Sequence, residues 1–243
     1  MNNFLNILHL DKNFGKETIL KNIHLSLEKN TVLSLLGSSG SGKTTLLKII
    51  AGLETQDKGK IILNGKNIEN QNPQQRNIVY LYQEALLFPH LNAFENIAFG
   101  LRLKKVNEQV VNEKVNLMLK NIEMVKHAKK MPHQLSGGQK QRISFGRAMI
   151  IEPNLLLLDE PFGALDTTTR QKMQALFKDL AKTMKISALF VTHDLKEAIV
   201  MGDQIGKIQK GKLVQYTTKK EFFNDEFSGV QKEIDFWKDI NNS

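Results

Sequence analysis

The chain has 243 residues, which is long enough for one large domain or two small ones without covalent cross-links. It contains no cysteine, which excludes disulfide scaffolds, thiolate catalysis and cysteine-ligated zinc or iron–sulfur centres. The formal net charge of +9 comes from lysines scattered through mixed-charge segments, without an aromatic-interleaved basic stripe, so we expect no nucleic-acid partner.

The N-terminal residues lack the basic region and apolar core of a signal peptide. Apolar runs such as residues 155–158 are far shorter than the roughly 18 residues that suggest a membrane span. The sequence therefore predicts a chain that is soluble by itself.

The first third of the chain predicts strands and one helix. Ile23, Leu25 and Leu27 alternate with polar residues, which is the period of a strand with one wet face. Residues 32–36 form a nearly continuous apolar run, as in a strand covered on both faces. Residues 44–51 predict a helix, and Asn64-Gly65 predicts a hairpin turn.

The rest of the chain predicts a helical section inside a strand–helix alternation. Residues 78–82 predict a strand, and from about residue 94 to 124 the apolar residues take helical spacing. The apolar side of this section consists of Val111, Val115, Met118, Leu119 and Ile122. Strands at residues 155–158 and 188–192 then flank a helix whose apolar stripe is Met173, Leu176, Phe177 and Leu180. We therefore expect an α/β fold with a mainly parallel core sheet.

A glycine-rich segment between the strand at residues 32–36 and the following helix fits the pattern G-x-x-x-x-G-K-[ST]. Its residues are Gly37, Ser38, Ser39, Gly40, Ser41, Gly42, Lys43 and Thr44, and Thr45 is included in the predicted ATP-binding set. Glycines let backbone N–H groups approach phosphates, and the helix N-terminus adds partial positive charge. Lys43 would reach the β- and γ-phosphates, and the Thr44 hydroxyl would hold Mg²⁺.

Three polar residues follow predicted strands, at the sheet edge where ligands bind in open α/β folds. Asp159 and Glu160 end the apolar run at residues 155–158. Asp159 would reach Mg²⁺ through its shell, and Glu160 would orient or deprotonate the attacking water. His193 follows the strand at residues 188–192 and would hydrogen-bond the γ-phosphate.

A second phosphate-seeking motif, Leu135-Ser136-Gly137-Gly138-Gln139, lies far downstream of the first. Ser136 and Gln139 form a capping-box pattern at the start of a helix that carries Ile143, Ala148 and Ile151. A capped helix start with two bare glycines is also an anion site. The two interpretations are compatible, and the residues alone do not determine in which direction this anion site faces.

These motifs together resemble the nucleotide-binding domain of ATP-binding-cassette (ABC) proteins, in the family's order. The resemblance implies a P-loop NTPase with an N-terminal antiparallel β subdomain and a helical subdomain inserted at about residues 84–150, within a cassette of residues 1–220. It implies a homodimer in which each ATP lies between one P-loop and the partner's Ser136, Gly137, Gly138 and Gln139. It also implies that Phe14 stacks on adenine, that Gln83 senses Mg²⁺ and the γ-phosphate, and that Asp166 links the two sites.

The segments at residues 83–101 and 161–166 resemble the importer type, which serves polyamine, ferric-iron and sulfate or molybdate uptake. This resemblance implies a peripheral subunit on the cytoplasmic face of the inner membrane, with permease subunits and a solute-capture protein as partners. Leu86, Leu87 and Phe88 are candidate contacts for the permease, or they are core residues of the helical subdomain. A soluble, non-transport ABC ATPase, for example in iron–sulfur cluster assembly, is the alternative, and a P-loop kinase would leave residues 135–139 unexplained.

Longer members of this group carry a β-rich regulatory domain after the cassette, and we expect none here. Residues 221–243 instead predict a short amphipathic helical tail that packs on its own domain, with docking on a partner or the membrane surface as the alternative. Its apolar positions are Phe223, Phe227, Val230, Ile234 and Trp237.

Overall fold

The computed structural model describes residues 3–233 and 235. The strands are β1 Leu5–Phe14, β2 Glu17–Leu27, β3 Val32–Leu36, β4 Lys58–Leu63, β5 Lys66–Asn67, β6 Ile78–Leu81, β7 Leu155–Asp159, β8 Ser187–Thr192, β9 Gln204–Gln209 and β10 Lys212–Tyr216. The helices are α1 Lys43–Ala51, α2 Ala93–Leu103, α3 Glu108–Asn121, α4 Gly137–Met149, α5 Thr167–Thr183, α6 Leu195–Met201 and α7 Lys219–Asn224.

The chain divides into two compact units, and the first contains Met1–Asn72 and Leu189–Ser243. One of its sheets is antiparallel, with the strand order β2-β1-β4-β5. The hairpin between β4 and β5 turns at Asn64 and Gly65, which both have positive φ, as an Asn-Gly turn of this kind requires. In the other sheet of this unit, β3 lies between β9 and β8, pairs in parallel with β9, and is buried along its whole length.

The second unit, Pro73–Ala188, contains the helical section. Its strands β6 and β7 pair in parallel, with Tyr80 opposite Leu157. Helices α2, α3 and α4 form the predicted helical section, and the apolar side of α3 is buried as its spacing predicted. The bare Cα of Gly146 on α4 lets this helix approach Met118 and Ile97, because an added Cβ would lie 3.2–3.3 Å from both side chains.

Apolar positions on two helices differ from the prediction. Ile151 lies beyond the end of α4 at Met149, so it is not part of that helix. On α5 the fully buried stripe is Met173, Phe177 and Ala181, at four-residue steps, whereas Leu176 and Leu180 are only half-buried. Helix α5 packs along one narrow strip of its surface, so only the residues at these four-residue steps are fully buried.

The tail differs from the predicted continuous helix. Phe222 is fully buried and Phe223 is 38% exposed, because α7 ends at Asn224 and the chain then turns through Glu226–Ser228. The Asp225 carboxylate holds this turn by accepting hydrogen bonds from Tyr216 Oη at 2.7 Å and the Phe227 amide at 2.9 Å. Val230 packs with Phe222 in a buried cluster that includes Leu36, Ala198, Ile205 and Tyr216. The predicted positions Ile234 and Trp237 lie outside the described residues.

Over residues 3–233 and 235, no helix is both long enough and apolar enough to cross a bilayer.

Candidate functional site

The glycine-rich loop between β3 and α1 wraps around the ammonium group of Lys43. Lys43 is 5% exposed, and its Nζ donates hydrogen bonds to the carbonyls of Gly37 at 2.7 Å and Ser38 at 2.8 Å. Gly37 is packed so tightly that an added Cβ would lie 2.5 Å from the carbonyl oxygen of Ile208. The loop is therefore a preformed turn that holds a buried cation.

The start of α1 suits an anion. Its N-cap is Gly42, at φ 100°, so no side chain caps the helix, and its first turn contains no acidic residue. The Oγ atom of Ser41 is buried and has no hydrogen-bond partner among the described residues. Ser38, Ser39, Gly40 and Thr44 are exposed around this helix start. An orphaned hydroxyl, a helix start without a side-chain cap and a buried ammonium fit a phosphate ligand.

His193 lies beside this loop in the same unit. The amide of Gly37 donates a hydrogen bond of 3.3 Å to the carbonyl of Thr192, so the first glycine of the loop is tied to the end of β8. Asp194 then caps α6 by accepting from the Glu197 amide at 2.9 Å. The exposed His193 is held between these two fixed positions.

Phe14, the predicted adenine-stacking residue, ends β1 with its ring 48% exposed. The ammonium of Lys12 lies 4.7 Å from the ring centroid and also forms an ion pair of 2.8 Å with Glu54. The ring is therefore supported by a cation and remains open to solvent.

The second unit brings Gln83, Asp159 and Glu160 together. Asp159 is buried at the end of β7, where Tyr80 Oη donates a hydrogen bond of 2.9 Å to its Oδ2. Burial, and then the charge of Asp159, raises the pKa of Tyr80 well above its ordinary range, so the phenol stays protonated. Glu160 has a left-handed backbone, at φ 45°, and accepts a hydrogen bond of 3.4 Å from Gln83 Nε2.

The capping box predicted for Ser136 and Gln139 is confirmed. The Ser136 Oγ accepts from the Gln139 amide at 3.3 Å, and the Gln139 Oε1 accepts from the Ser136 amide at 3.0 Å. Gly137 is exposed, with nothing within 4 Å of the position that a Cβ would occupy. The first turn of α4 contains no acidic residue. This helix start is capped by its own side chains and is open at Gly137, whereas a Cβ added at Gly138 would lie 3.2 Å from the Leu165 side chain.

Asp166 caps α5, and its Oδ1 accepts a hydrogen bond of 3.0 Å from the Thr169 amide. Backbone N–H groups, chiefly that of Thr169, hold the pKa of its carboxyl below the usual range.

Sequence reasoning missed Gln141, a buried side chain on α4. Its Oε1 accepts from the Ala164 amide at 3.1 Å, and its Nε2 donates to the Gln83 carbonyl at 3.5 Å. One residue therefore connects α4 to both segments that carry Gln83 and Glu160. A glutamine two residues after the capping box was the only signal in the sequence.

The segment after Gln83 is held by two further residues that the sequence did not single out. Buried Asn96 accepts from the Phe88 amide at 2.8 Å and donates to the carbonyls of Phe88, Leu91 and Asn92. Arg147 donates to the Leu86 carbonyl at 2.6 Å, and its guanidinium lies 4.9 Å from the Phe88 ring centroid. Burial lowers the pKa of Arg147 from its ordinary value. These contacts leave the Leu86 side chain 50% exposed.

A sequence model of the ABC transporter family matches residues 20–163. The chain belongs to the ABC transporter family. Two solved structures agree with this assignment. A dimeric ATP-binding cassette in a post-hydrolysis state, bound to ADP and Pi, has a TM-score of 0.80 at 29% identity and covers 87% of this chain and 97% of its own. A dimeric bacterial ABC transporter cassette has a TM-score of 0.79 at 29% identity, and the match covers 86% of this chain and 96% of the cassette. The predicted P-loop NTPase fold is confirmed.

Curated relatives of this ABC family member are import ATP-binding proteins. The spermidine/putrescine import ATP-binding protein PotA of Clostridioides difficile is 44% identical over 92% of this chain and 64% of its own length. PotA of Thermotoga maritima is 45% identical over 90% of this chain and 60% of the PotA chain. The sulfate/thiosulfate import ATP-binding protein CysA of Neisseria meningitidis is 41% identical over 93% and 66%. The chain thus spans somewhat under two thirds of the length of these relatives.

Proposed function

We propose that this chain is the ATP-hydrolysing subunit of an ABC transporter and that it drives solute import through separate membrane subunits. The observation that carries the proposal is the pair of helix starts, α1 and α4, which both lack acidic residues in the first turn. Helix α1 follows a glycine-rich loop, and α4 begins with two glycines. One chain with two anion-binding helix starts is suited to a dimer in which each ATP takes one start from each copy.

The first helix start would hold the phosphates of ATP. Backbone N–H groups of residues 37–45 and the Lys43 ammonium would bind the β- and γ-phosphates, and the Phe14 ring would stack on adenine. The orphaned Ser41 hydroxyl supports this assignment, because a phosphate oxygen would satisfy it.

A magnesium ion would be held by the Thr44 hydroxyl, the Gln83 amide oxygen and the Asp159 carboxylate. These are hard oxygen donors, which suit Mg²⁺ and leave coordination positions for phosphate oxygens and water. The bond from Gln83 Nε2 to Glu160 supports the assignment, since it occupies the donor of the amide and leaves the oxygen, Oε1, as the atom that would bind the ion. When bound, the ion would neutralise charge that develops on the phosphate oxygens.

Glu160 would accept the proton of the attacking water, and His193 would hydrogen-bond the γ-phosphate. The left-handed backbone at Glu160 supports this role, because strained conformations are often held at reacting centres. Ser136, Gly137, Gly138 and Gln139 would bind the γ-phosphate of the ATP held by the partner copy, and Asp166 would link the two sites. Each closure of the dimer would thus depend on two ATP molecules.

The import role is supported by the relatives, which are named for spermidine/putrescine and sulfate/thiosulfate import. Half-exposed Leu86, on a segment braced by Asn96 and Arg147, is a suitable contact for a permease subunit. We propose that the chain is peripheral, on the cytoplasmic face of the membrane, and that a solute-capture protein completes the assembly.

The test is to purify the chain with its membrane partner and to measure ATP hydrolysis with solute-loaded capture proteins, beginning with a polyamine and sulfate. We expect an integral membrane protein to copurify and a loaded capture protein to raise the rate. The Glu160→Gln variant should bind ATP and not turn it over. Copurification with a soluble complex alone, or wild-type hydrolysis by Glu160→Gln, would contradict the proposal.

A further inference from the structure

His127 lies against the capping box of α4. It ends the 3-10 turn Val125–His127, and its Nε2 lies 3.4 Å from Nε2 of Gln139. The other ring nitrogen, Nδ1, is buried and has no hydrogen-bond partner among residues 3–233 and 235. Within that described part of the chain, the hydrogen-bond contact of the imidazole is with the side chain that completes the capping box.

The capping box determines which tautomer of His127 can make this contact. The Oε1 of Gln139 already accepts from the Ser136 amide, so the amide group that faces His127 is the NH₂ donor. Nε2 of His127 must then be the acceptor, and the ring proton must lie on Nδ1. Only the neutral imidazole is compatible with both bonds.

Protonation would place a second N–H on the ring, directly opposite the NH₂ group of Gln139. Two donors in contact repel, and the repulsion is relieved if the Gln139 amide rotates and presents Oε1 to the imidazolium. This rotation removes Oε1 from the Ser136 amide and puts an NH₂ group in its place. One of the two bonds of the capping box is then lost, and the Ser136 amide is left without its acceptor at the start of α4.

The surroundings of His127 favour the neutral ring. Burial is the main cause that lowers the pKa of His127, and the cationic groups of Lys130, Arg142 and Lys126 add to it. The carboxylate of Glu123, four residues before His127, pairs with Lys172 at 2.7 Å and Arg142 at 3.8 Å. Protonation is therefore expected below the ordinary histidine range of about 6.5.

We propose that His127 is a positioning residue for the Ser136–Gln139 motif, and that protonating it opens the capping box and weakens ATP-driven pairing of two chains. The second half of this inference rests on the proposed role of the motif at the partner's ATP. The first half concerns one chain without nucleotide, and it can be tested separately.

The wild type and three variants of the full chain provide the test. His127→Gln keeps a neutral acceptor near the position of Nε2 and cannot be protonated, so it should retain the bond at every pH. His127→Phe removes both the bond and the titration. His133→Gln changes an exposed histidine of the following turn, and it serves as the matched control.

The first measurement is the amide resonance of Ser136 in nucleotide-free chain, followed by NMR from about pH 8 to about pH 5.5. In the wild type and in His133→Gln, this resonance should move in one step with the midpoint of the His127 ring protons. It should stay in place in His127→Gln and His127→Phe. A Ser136 resonance that moves equally in His127→Gln, or that ignores the titration of His127, would overturn the inference.

The second measurement is the ATP-dependent dimer fraction in the Glu160→Gln background over the same pH range. The wild type should lose dimer progressively as His127 becomes protonated, His127→Gln should keep it, and His127→Phe should be lower and flat. An equal acid loss in His127→Gln overturns the effect of His127 on pairing. Absence of an ATP-dependent dimer in every form, with the Ser136 step intact, would contradict the proposed function and leave the coupling of His127 to Gln139 standing.

Discussion

Tyr80 and Asp159, from neighbouring parallel strands, are joined by a hydrogen bond of 2.9 Å from the phenol to the carboxylate. Tyr80 lies opposite Leu157 in the register, so its side chain reaches forward along β7 to the strand's carboxyl end. The carboxylate that we assign to the magnesium site is therefore oriented by a phenol that remains protonated.

Replacing Tyr80 by Phe should change how the free energy of unfolding depends on pH. The pKa of Tyr80 is raised in the folded chain, so its contribution to stability is complete below the unfolded value of about 10 and is lost as pH rises above it. Urea unfolding of Tyr80→Phe should show a smaller alkaline loss than the wild type. Tyr82→Phe, on the same segment, is the control and should lose nearly as much unfolding free energy at alkaline pH as the wild type.

The same variant should need more magnesium. Without the phenol, the Asp159 carboxylate loses the donor that fixes its orientation, so the Mg²⁺ concentration for half-maximal ATP hydrolysis should rise severalfold. The rate at saturating Mg²⁺ should fall much less. An unchanged magnesium dependence would contradict the positioning role of Tyr80.

Two glycine variants should separate the P-loop from the capping-box motif. Gly37→Ala places a methyl group 2.5 Å from the Ile208 carbonyl, so we expect a distorted loop and loss of ATP binding. Gly137→Ala meets nothing within 4 Å in its own chain, and alanine favours the helix by up to about 1 kcal/mol. This variant should fold and bind ATP normally, yet form less ATP-dependent dimer, as seen by light scattering.

Gln141→Leu should loosen the segments that carry Gln83 and Glu160. The partly buried amide of Ala164 loses its acceptor, which should cost about 1 kcal/mol of unfolding free energy. We expect a lower kcat with a smaller effect on KM for ATP. Gln109→Leu, on the exposed side of α3, is a matched control that should change neither quantity.

Asn96→Asp and Asn96→Ala should differ in their dependence on pH. The Asn96 amide donates to three carbonyls, and a carboxylate oxygen in its place would repel them. The introduced carboxyl would have a raised pKa, so the variant should lose stability as pH rises above about 4. Asn96→Ala should be destabilised at every pH without this trend, because it contains no titratable group. Thermal unfolding between pH 4 and pH 8 distinguishes the two.

The strands and helices could be predicted because their signals are local. The apolar run of β3 and the Asn64-Gly65 turn are each specified within a few residues, and the capping box from Ser136 to Gln139 spans four. The contacts of Tyr80 and Gln141 could not be predicted in this way. They join positions 79 and 23 residues apart, which become neighbours only after strand pairing and helix packing are fixed.

The tail shows the opposite case, in which a local pattern is misleading. Apolar residues at helical spacing predicted one continuous helix with Phe223 on its buried side. Asp225 instead accepts a hydrogen bond from the Phe227 amide and ends the helix, so Phe222 becomes the buried aromatic residue. An Asp that can bond a nearby amide competes with helix continuation, and periodicity does not register that competition.

We propose that the Ser136–Gln139 motif of one chain binds the ATP held by another. The variant Ser136→Arg in the Glu160→Gln background is the most direct test. A bulky cation at this exposed position should abolish the ATP-dependent dimer and leave ATP affinity at the P-loop nearly unchanged. Ser136→Ala, which removes the cap and costs about 1 kcal/mol without adding bulk, controls for lost helix stability and should keep part of the dimer. A Ser136→Arg chain that dimerises with ATP as fully as its parent would contradict the account.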